Sequence, residues 1–466
     1  MKLIHRLVSS ATLALGGVVV LGVGLLVPAA PVPVPMGATE LEPRTTTVCS
    51  VADGDSRKVE LVAAGVGTGR LSLTEIGGAE VASLSTSGAV AMVVGAKPYG
   101  VMATGKLAAA SGGALVAATG SGVDRGVAAQ PCLLPATDHW FVGLGAKAPQ
   151  LSTLLVTNPD SQAAEVEVRV NGPQGAVTAP GSSGIAVPPH STRVIPLEGM
   201  VEADGPLAVQ VRATAGRVRV VAQDRHRDGT EAAGTDWIAP TLAPATSFVI
   251  PGVAQGAGAR DLILVNPGER TATAKVEALA ADGSFVVEGA DAVDVPPAST
   301  VRVPLADALG GDAVGLRVTS DVALAGALEA TATGSKLAPD TATAVATRPM
   351  SGMAVLPLVA VNDLAGQVQL SNAGPAATSA TLVVTDRSGK EMARQVLQLP
   401  AGGTVGVPVT GNGAWAQVST DGAEVYGAVV LTSTRDATAG LGWLPVSSSR
   451  VATPAPEVRT EPRLGW

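Results

Sequence analysis

The chain has 466 residues, of which 46% are hydrophobic but only 2% aromatic, and a formal net charge of −8. That length allows several domains, while the acidic balance excludes nucleic acid as a partner, because binding there depends on Lys and Arg neutralising phosphates. So few aromatic rings also count against surfaces that stack sugars or bases.

Lys2 and Arg6 precede an uncharged stretch over residues 7–27, and Pro28 opens a Pro-rich segment. Positive charge followed by about 20 apolar residues predicts a segment that engages the membrane with its N-terminus in the cytoplasm. Val27-Pro28-Ala29 offers a small-residue cleavage site, whereas the length of the apolar run and Pro31 favour retention. Residues 1–30 therefore read as a signal anchor, a transmembrane helix, with cleavage and secretion as the alternative. Both readings place the rest of the chain outside the membrane. Residues 31–44 read as a stiff linker.

Residues 45–137 read as a degenerate first copy of a β-module, with strands suggested at 58–62, 70–73, 90–94, 99–102 and 114–118. This stretch holds the two cysteines of the chain, Cys49 and Cys132. An even pair outside the membrane predicts a disulfide, and a redox pair would normally be spaced Cys-x-x-Cys. Asp53-Gly54-Asp55 resembles part of a calcium loop but lacks the remaining ligands, so it is read as a turn.

Three clearer copies follow, at 138–245, 246–351 and 352–450. Each begins a strand that ends on Asn: Leu154-Leu155-Val156-Thr157-Asn158-Pro159, Leu262-Ile263-Leu264-Val265-Asn266-Pro267 and Val368-Gln369-Leu370-Ser371-Asn372-Ala373. Asn158 and Asn266 lie 108 positions apart, Asn266 and Asn372 106. A second motif, Val187-Pro188-Pro189-His190-Ser191-Thr192, recurs as Val295-Pro296-Pro297-Ala298-Ser299-Thr300 and, more loosely, as Leu399-Pro400-Ala401-Gly402-Gly403-Thr404. A period of that length is a domain rather than a solenoid unit.

Val166, Val168 and Val170 alternate with Glu165, Glu167 and Arg169, so one face is expected buried and the other wet, as in antiparallel sheets. Seven or eight such strands per repeat predict an all-β chain of tandem immunoglobulin-like β-sandwich modules, each folding independently. The alternative is a β-propeller with two four-stranded blades per repeat. Residues 451–466, rich in Pro, Thr and charge, read as a disordered tail.

Candidate chemistry is sparse. The repeated Asn residues and the Pro-Pro segments read as turns at strand ends. His5, His139, His190 and His226 fall in unrelated places, with no zinc spacing, and no Gly-x-Ser-x-Gly elbow is present. The densest polar knot is Asp224-Arg225-His226-Arg227-Asp228, expected to be a water-screened loop at a strand end with the imidazole little perturbed. Replacing His226 by Ala is then expected to leave stability nearly unchanged. Trp140, Phe141, Trp237 and Phe248 fall at module joints and read as packing, whereas Trp415, Tyr426 and Trp443 gather in the last module as a candidate aromatic patch. The sequence thus assigns no catalytic, cofactor or metal residue.

The N-terminal span, the joint with Cys132-Leu133-Leu134-Pro135 followed by Trp140-Phe141-Val142-Gly143, and the strand-Asn-Pro repeat carry a family resemblance. The chain resembles an uncharacterised actinobacterial family of membrane-anchored secreted proteins, a domain of unknown function often encoded near cell-envelope glycosyltransferases. The resemblance implies a setting at the envelope, with an envelope protein or a glycan as partner, and supplies no catalytic residues. The expectation is a non-catalytic, extracytoplasmic, membrane-anchored scaffold or accessory protein, with a membrane glycosyltransferase as candidate partner. The alternatives are a glycan-binding cell-surface protein and a hydrolase with a dispersed site.

Overall fold

Strand-forming sequence dominates, and the computed structural model is all-β, with antiparallel pairing throughout its sheets. It describes residues 42–51, 58–95, 97–334, 337–357, 364–409, 415–433 and 440–448. The signal anchor, nearly all of the linker, the Asp53-Gly54-Asp55 turn and the tail lie outside those residues. Among the described residues no helix is long and apolar enough to cross a membrane.

Residues 44–131 carry β1 (Arg44–Cys49), β2 (Val59–Glu75), β3 (Glu80–Val94), β4 (Tyr99–Gly105), the short α1 (Lys106–Ala109), β5 (Ser111–Thr119) and β6 (Gly126–Pro131). Residues 138–238 carry β7 (Asp138–Leu144), β8 (Ala146–Lys147), β9 (Gln150–Asn158), β10 (Ala164–Gly172) and β11 (Gly175–Val177). They continue with β12 (Ile185–Val187), β13 (Ser191–Pro196), β14 (Leu207–Ala215), β15 (Arg219–Asp228) and β16 (Glu231–Ile238). Residues 245–345 carry β17 (Ala245–Val253), β18 (Arg260–Asn266), β19 (Ala272–Ala280), β20 (Gly283–Val286) and β21 (Val293–Val295). After these come β22 (Ser299–Pro304), α2 (Ala306–Leu309), β23 (Val314–Gly334) and β24 (Leu337–Val345). Residues 352–446 carry β25 (Gly352–Leu356), β26 (Leu364–Asn372), β27 (Thr378–Thr385), β28 (Glu391–Leu399), β29 (Gly403–Val409), β30 (Trp415–Thr420), β31 (Val425–Ser433) and β32 (Leu441–Val446).

One strand order recurs four times among these residues. In the second unit one sheet runs β7-β14-β10-β11 and the other β16-β15-β9-β13. The fourth repeats it as β25-β30-β27-β28 and β32-β31-β26-β29. In the third unit the 21-residue β23 serves both sheets, pairing β17 and β19 with its first half and β18 and β24 with its second. In the first, β2 is the shared strand: residues 59–65 pair β5 and residues 69–75 pair β4. Two sheets are thereby fused where other units break the chain.

The last strand of each unit meets the others: β6 packs on β16, β16 on β24, β24 on β32 and β32 on β6. Outside that centre the first sheet of one unit covers the second sheet of the next. Strand β7 packs on β18 and β23, β17 on β26 and β31, and β25 on β2 and β5. Cys49 and Val51 share a core with Leu155, Val221 and Trp237, so the first unit also covers the second. Sheets carrying β9, β18 and β26 are therefore covered on both faces, which makes Leu262, Ile263, Leu264 and Val265 all fully buried. The outer β10 keeps the expected alternation, with Val166, Val168 and Val170 buried beside exposed Glu165 and Arg169. One apolar cluster runs from Phe141 through Leu264 to Trp443, across three units.

Candidate functional site

Cys49 and Cys132 are joined, and both are buried. Cys49 ends β1, and Cys132 follows β6 with Leu133 bridged to Val48. The bond therefore ties the first strand of the opening unit to the segment leaving its last one.

The repeated Asn residues do one structural job. Asn158 Nδ2 donates to the carbonyls of Gln162 (2.7 Å) and Val187 (3.1 Å), and its Oδ1 accepts from the Asp160 amide (3.0 Å). Asn266 repeats this with Arg270 (2.6 Å), Val295 (2.9 Å) and the Gly268 amide (2.9 Å). Asn372 does so with Ala376 (2.8 Å), Leu399 (3.3 Å) and the Gly374 amide (3.0 Å). Each Asn thus closes its own turn and binds a second strand, satisfying buried backbone groups. The paired turn places His190 (φ 53°), Ala298 (φ 51°) and Gly402 (φ 64°) in the left-handed region, so backbone shape rather than side-chain chemistry is common to that position.

The polar knot corrects the sequence reading. Strand β15 continues to Asp228 between β9 and β16, so Asp224 and His226 lie inside a sheet instead of on a loop. Asp224 is 1% exposed. It accepts Gln150 Nε2 (2.7 Å), Ser152 Oγ (2.5 Å) and His226 Nε2 (2.7 Å). Burial opposes a charge on His226, yet the Asp224 carboxylate beside it, aided by Glu329 and Asp236, raises the imidazole to about 9. Nucleophilic catalysis needs the hydroxyl bonded to the base. Here Ser152 donates to the carboxylate, and the His226 nitrogen that is engaged faces that same carboxylate. The arrangement holds β9 and β15 together.

Two further carboxylates sit where the central strands meet. Asp340 of β24 accepts the amides of Val127 on β6 (2.9 Å) and Leu441 on β32 (2.8 Å). Gly126 and Gly234 leave room for it, since a Cβ on either would come within 2.3 Å and 2.5 Å of Asp340 Oδ1. Burial pushes its carboxyl up to about 8, with Asp236 adding. Asp236 of β16 accepts the Thr343 amide of β24 (2.9 Å) and that of Trp237 (2.7 Å), and burial pushes it up to about 7. Side-chain carboxyls thus supply acceptors between strands of different units, where no backbone ladder continues. Sequence inspection missed both, because Asp236 and Asp340 stand alone in apolar or Thr/Ala-rich context; an Asp on the last strand of two successive repeats was the available signal.

The remaining candidates are structural. His139 is buried against the Val218 carbonyl (2.9 Å), and burial lowers its pKa to about 4. Trp140, Phe141, Trp237 and Phe248 are buried. Trp415 and Trp443 are buried too, donating to the carbonyls of Asp386 (2.9 Å) and Pro251 (3.0 Å). They offer no open aromatic face for a sugar ring.

Beyond the carboxylates, the segments that leave the four central strands surround a cavity of about 400 Å³. Its walls come from residues 131–134 and Ala136, residues 239–240 and Leu242, residues 345–349 and Ser351, and residues 444–445 and 447–448, with Thr45, Thr47, residues 111–114, residues 355–357 and Val429 completing them. These are the joints whose spacing repeats in the sequence.

A family model described as a family of unknown function (DUF5719) matches residues 81–410. No curated protein matches the chain. Among solved structures it is similar to the crystal structure of Thermotoga maritima 1070, at 19% identity over 23% of this chain and 96% of that one, with a TM-score of 0.20.

Proposed function

We propose that this chain, which belongs to the family of unknown function DUF5719, is a non-catalytic extracytoplasmic scaffold or accessory protein of the cell envelope. One observation carries the reading. Among the described residues, the exposed large apolar side chains concentrate on outer edge strands: Val81 and Val93 on β3, Val194 on β13, Phe285 and Val286 on β20, Met392 and Val396 on β28. Edge strands carry unpaired backbone donors and acceptors, and exposed apolar side chains there favour strand pairing with another chain. The disulfide supports an oxidising, extracytoplasmic location. Attachment through residues 1–30, an actinobacterial envelope setting and a membrane glycosyltransferase as partner complete the proposal.

The cyclic packing of β6, β16, β24 and β32 supports a finer architectural reading, in which each two-sheet unit contributes a pair of blades to a propeller-like ring rather than a separate sandwich bead. A rigid ring with open outer edges suits a docking platform. The test places a photo-crosslinking residue at Val396, Phe285 or Val194 in the native membrane, with exposed Arg169 as the control position. A discrete adduct from the Val396 position that disappears with Met392→Lys on the same strand, while the protein stays folded, supports the scaffold. Adducts from no edge position sink it.

A further inference from the structure

We infer that the cavity at the meeting of the four units is a binding site for a small amphipathic anion, a molecule with an apolar body and one anionic head. This goes beyond the scaffold reading and does not depend on it. About 400 Å³ lies within the range of roughly 300–1,000 Å³ typical of small-molecule sites. The walls are chiefly Pro, Leu, Val and Ala, with Leu242, Val355, Leu356 and Val429 among them. No acidic residue lines it, and Arg348 is the one charged lining residue. Arg348 is exposed and forms no ion pair among the described residues. An apolar chamber with a lone cation at its rim is complementary to an apolar anion and repels an apolar cation.

A second observation points the same way. The neighbouring Thr347 is 8% exposed, lines the cavity, and its hydroxyl has no hydrogen-bond partner among the described residues. A buried hydroxyl left unsatisfied is destabilising, and an acceptor on a bound molecule would relieve that. The chamber is also preformed. Cys132 of the disulfide lines it, and the strands leading into it are tied by Asp236 and Asp340. Walls that need no ordering on binding lose less affinity to conformational entropy.

Isothermal titration of the folded protein with decanoate and decyltrimethylammonium below their micelle concentrations, and with decanol below its solubility limit, tests the assignment. Decanoate should bind one-to-one, and the cation about tenfold more weakly or not at all. Arg348→Glu, a change at an exposed side chain, should weaken decanoate about tenfold. Ser351→Trp, at an exposed lining position, should fill the chamber and abolish binding of decanoate and decanol alike. Co-sedimentation with anionic phospholipid vesicles separates the free amphiphile from a membrane surface. Vesicle binding that needs Arg348 but survives Ser351→Trp, with no decanoate titration, would assign the arginine to the membrane and overturn the site. Equal affinity for decanoate and decyltrimethylammonium, or decanoate binding indifferent to both variants, would also overturn it.

Discussion

Asp340 is the sharpest place to perturb the centre of the molecule. Its carboxyl accepts the Val127 and Leu441 amides from two other units, and it is fully buried. Asp340→Ala removes both acceptors and leaves two buried N–H donors unsatisfied. At about 1–3 kcal/mol for each orphan, the loss should be about 2–6 kcal/mol. Asp340→Asn retains an oxygen for both amides and removes the ionisation. The folded carboxyl titrates at about 8, above the ordinary 3.8, so the folded state holds a proton that the unfolded chain has already released. Stability from this group is fully present below the unfolded value and is lost as pH rises through the folded one. Each pH unit crossed between the two contributes about 1.4 kcal/mol. Wild type should therefore lose stability relative to Asp340→Asn by a few kcal/mol between pH 5 and pH 8, since the other titrating groups are common to both. Urea unfolding at the two pH values reads both effects. An Ala variant within 0.5 kcal/mol of wild type at pH 5, or a constant gap to the Asn variant, would refute the reasoning (the first threshold being about the scatter expected of surface changes).

Other consequences follow from the same contacts. His226→Ala should leave Asp224 buried without its cation and cost on the order of 3 kcal/mol, readable as a lowered melting temperature; an unchanged melt would restore the loop reading. Because the His226 pKa is raised to about 9, its contribution is present below about 6.5 and lost as pH rises through 9, so the wild-type advantage over that variant should shrink on alkalinisation. Cys49→Ser with Cys132→Ser opens a loop of 83 residues and should cost about 4–5 kcal/mol on the chain-entropy model, and thiol labelling of unreduced, denatured wild type should find no free thiol. Residues 246–351 alone lose the neighbours that cover β18 and β24, so circular dichroism should show no cooperative unfolding transition, in contrast to the independence that repeat spacing alone suggests. Ala298→Gly should gain about 0.5 kcal/mol by relieving a left-handed Ala, the gain being trimmed by the extra freedom of glycine when unfolded; a loss of stability would show that the methyl group packs usefully.

The sequence by itself determined everything that depends on local periodicity and repeat spacing. Alternation at Val166, Val168 and Val170 specified an antiparallel strand with one wet face, and β10 has one. Recurring Asn158, Asn266 and Asn372 specified a shared turn, because an Asn side chain satisfies backbone groups only a few residues away. The isolated pair Cys49 and Cys132 specified the disulfide. Tertiary structure decided what covers each sheet. The uninterrupted run Leu262-Ile263-Leu264-Val265 is buried on both faces because another unit lies against it, and that partner is about a hundred residues away in the chain. The fate of the polar residues was equally non-local. Asp224 looked solvated because Arg225, His226, Arg227 and Asp228 follow it, yet a strand hides every second residue, and Ser152 and Gln150 were waiting on β9. Asp236, Asp340, Thr347 and Arg348 carry no motif at all; their roles exist only because the ends of four units converge on one place, bringing acceptors to orphaned amides and a cation to the rim of an apolar chamber.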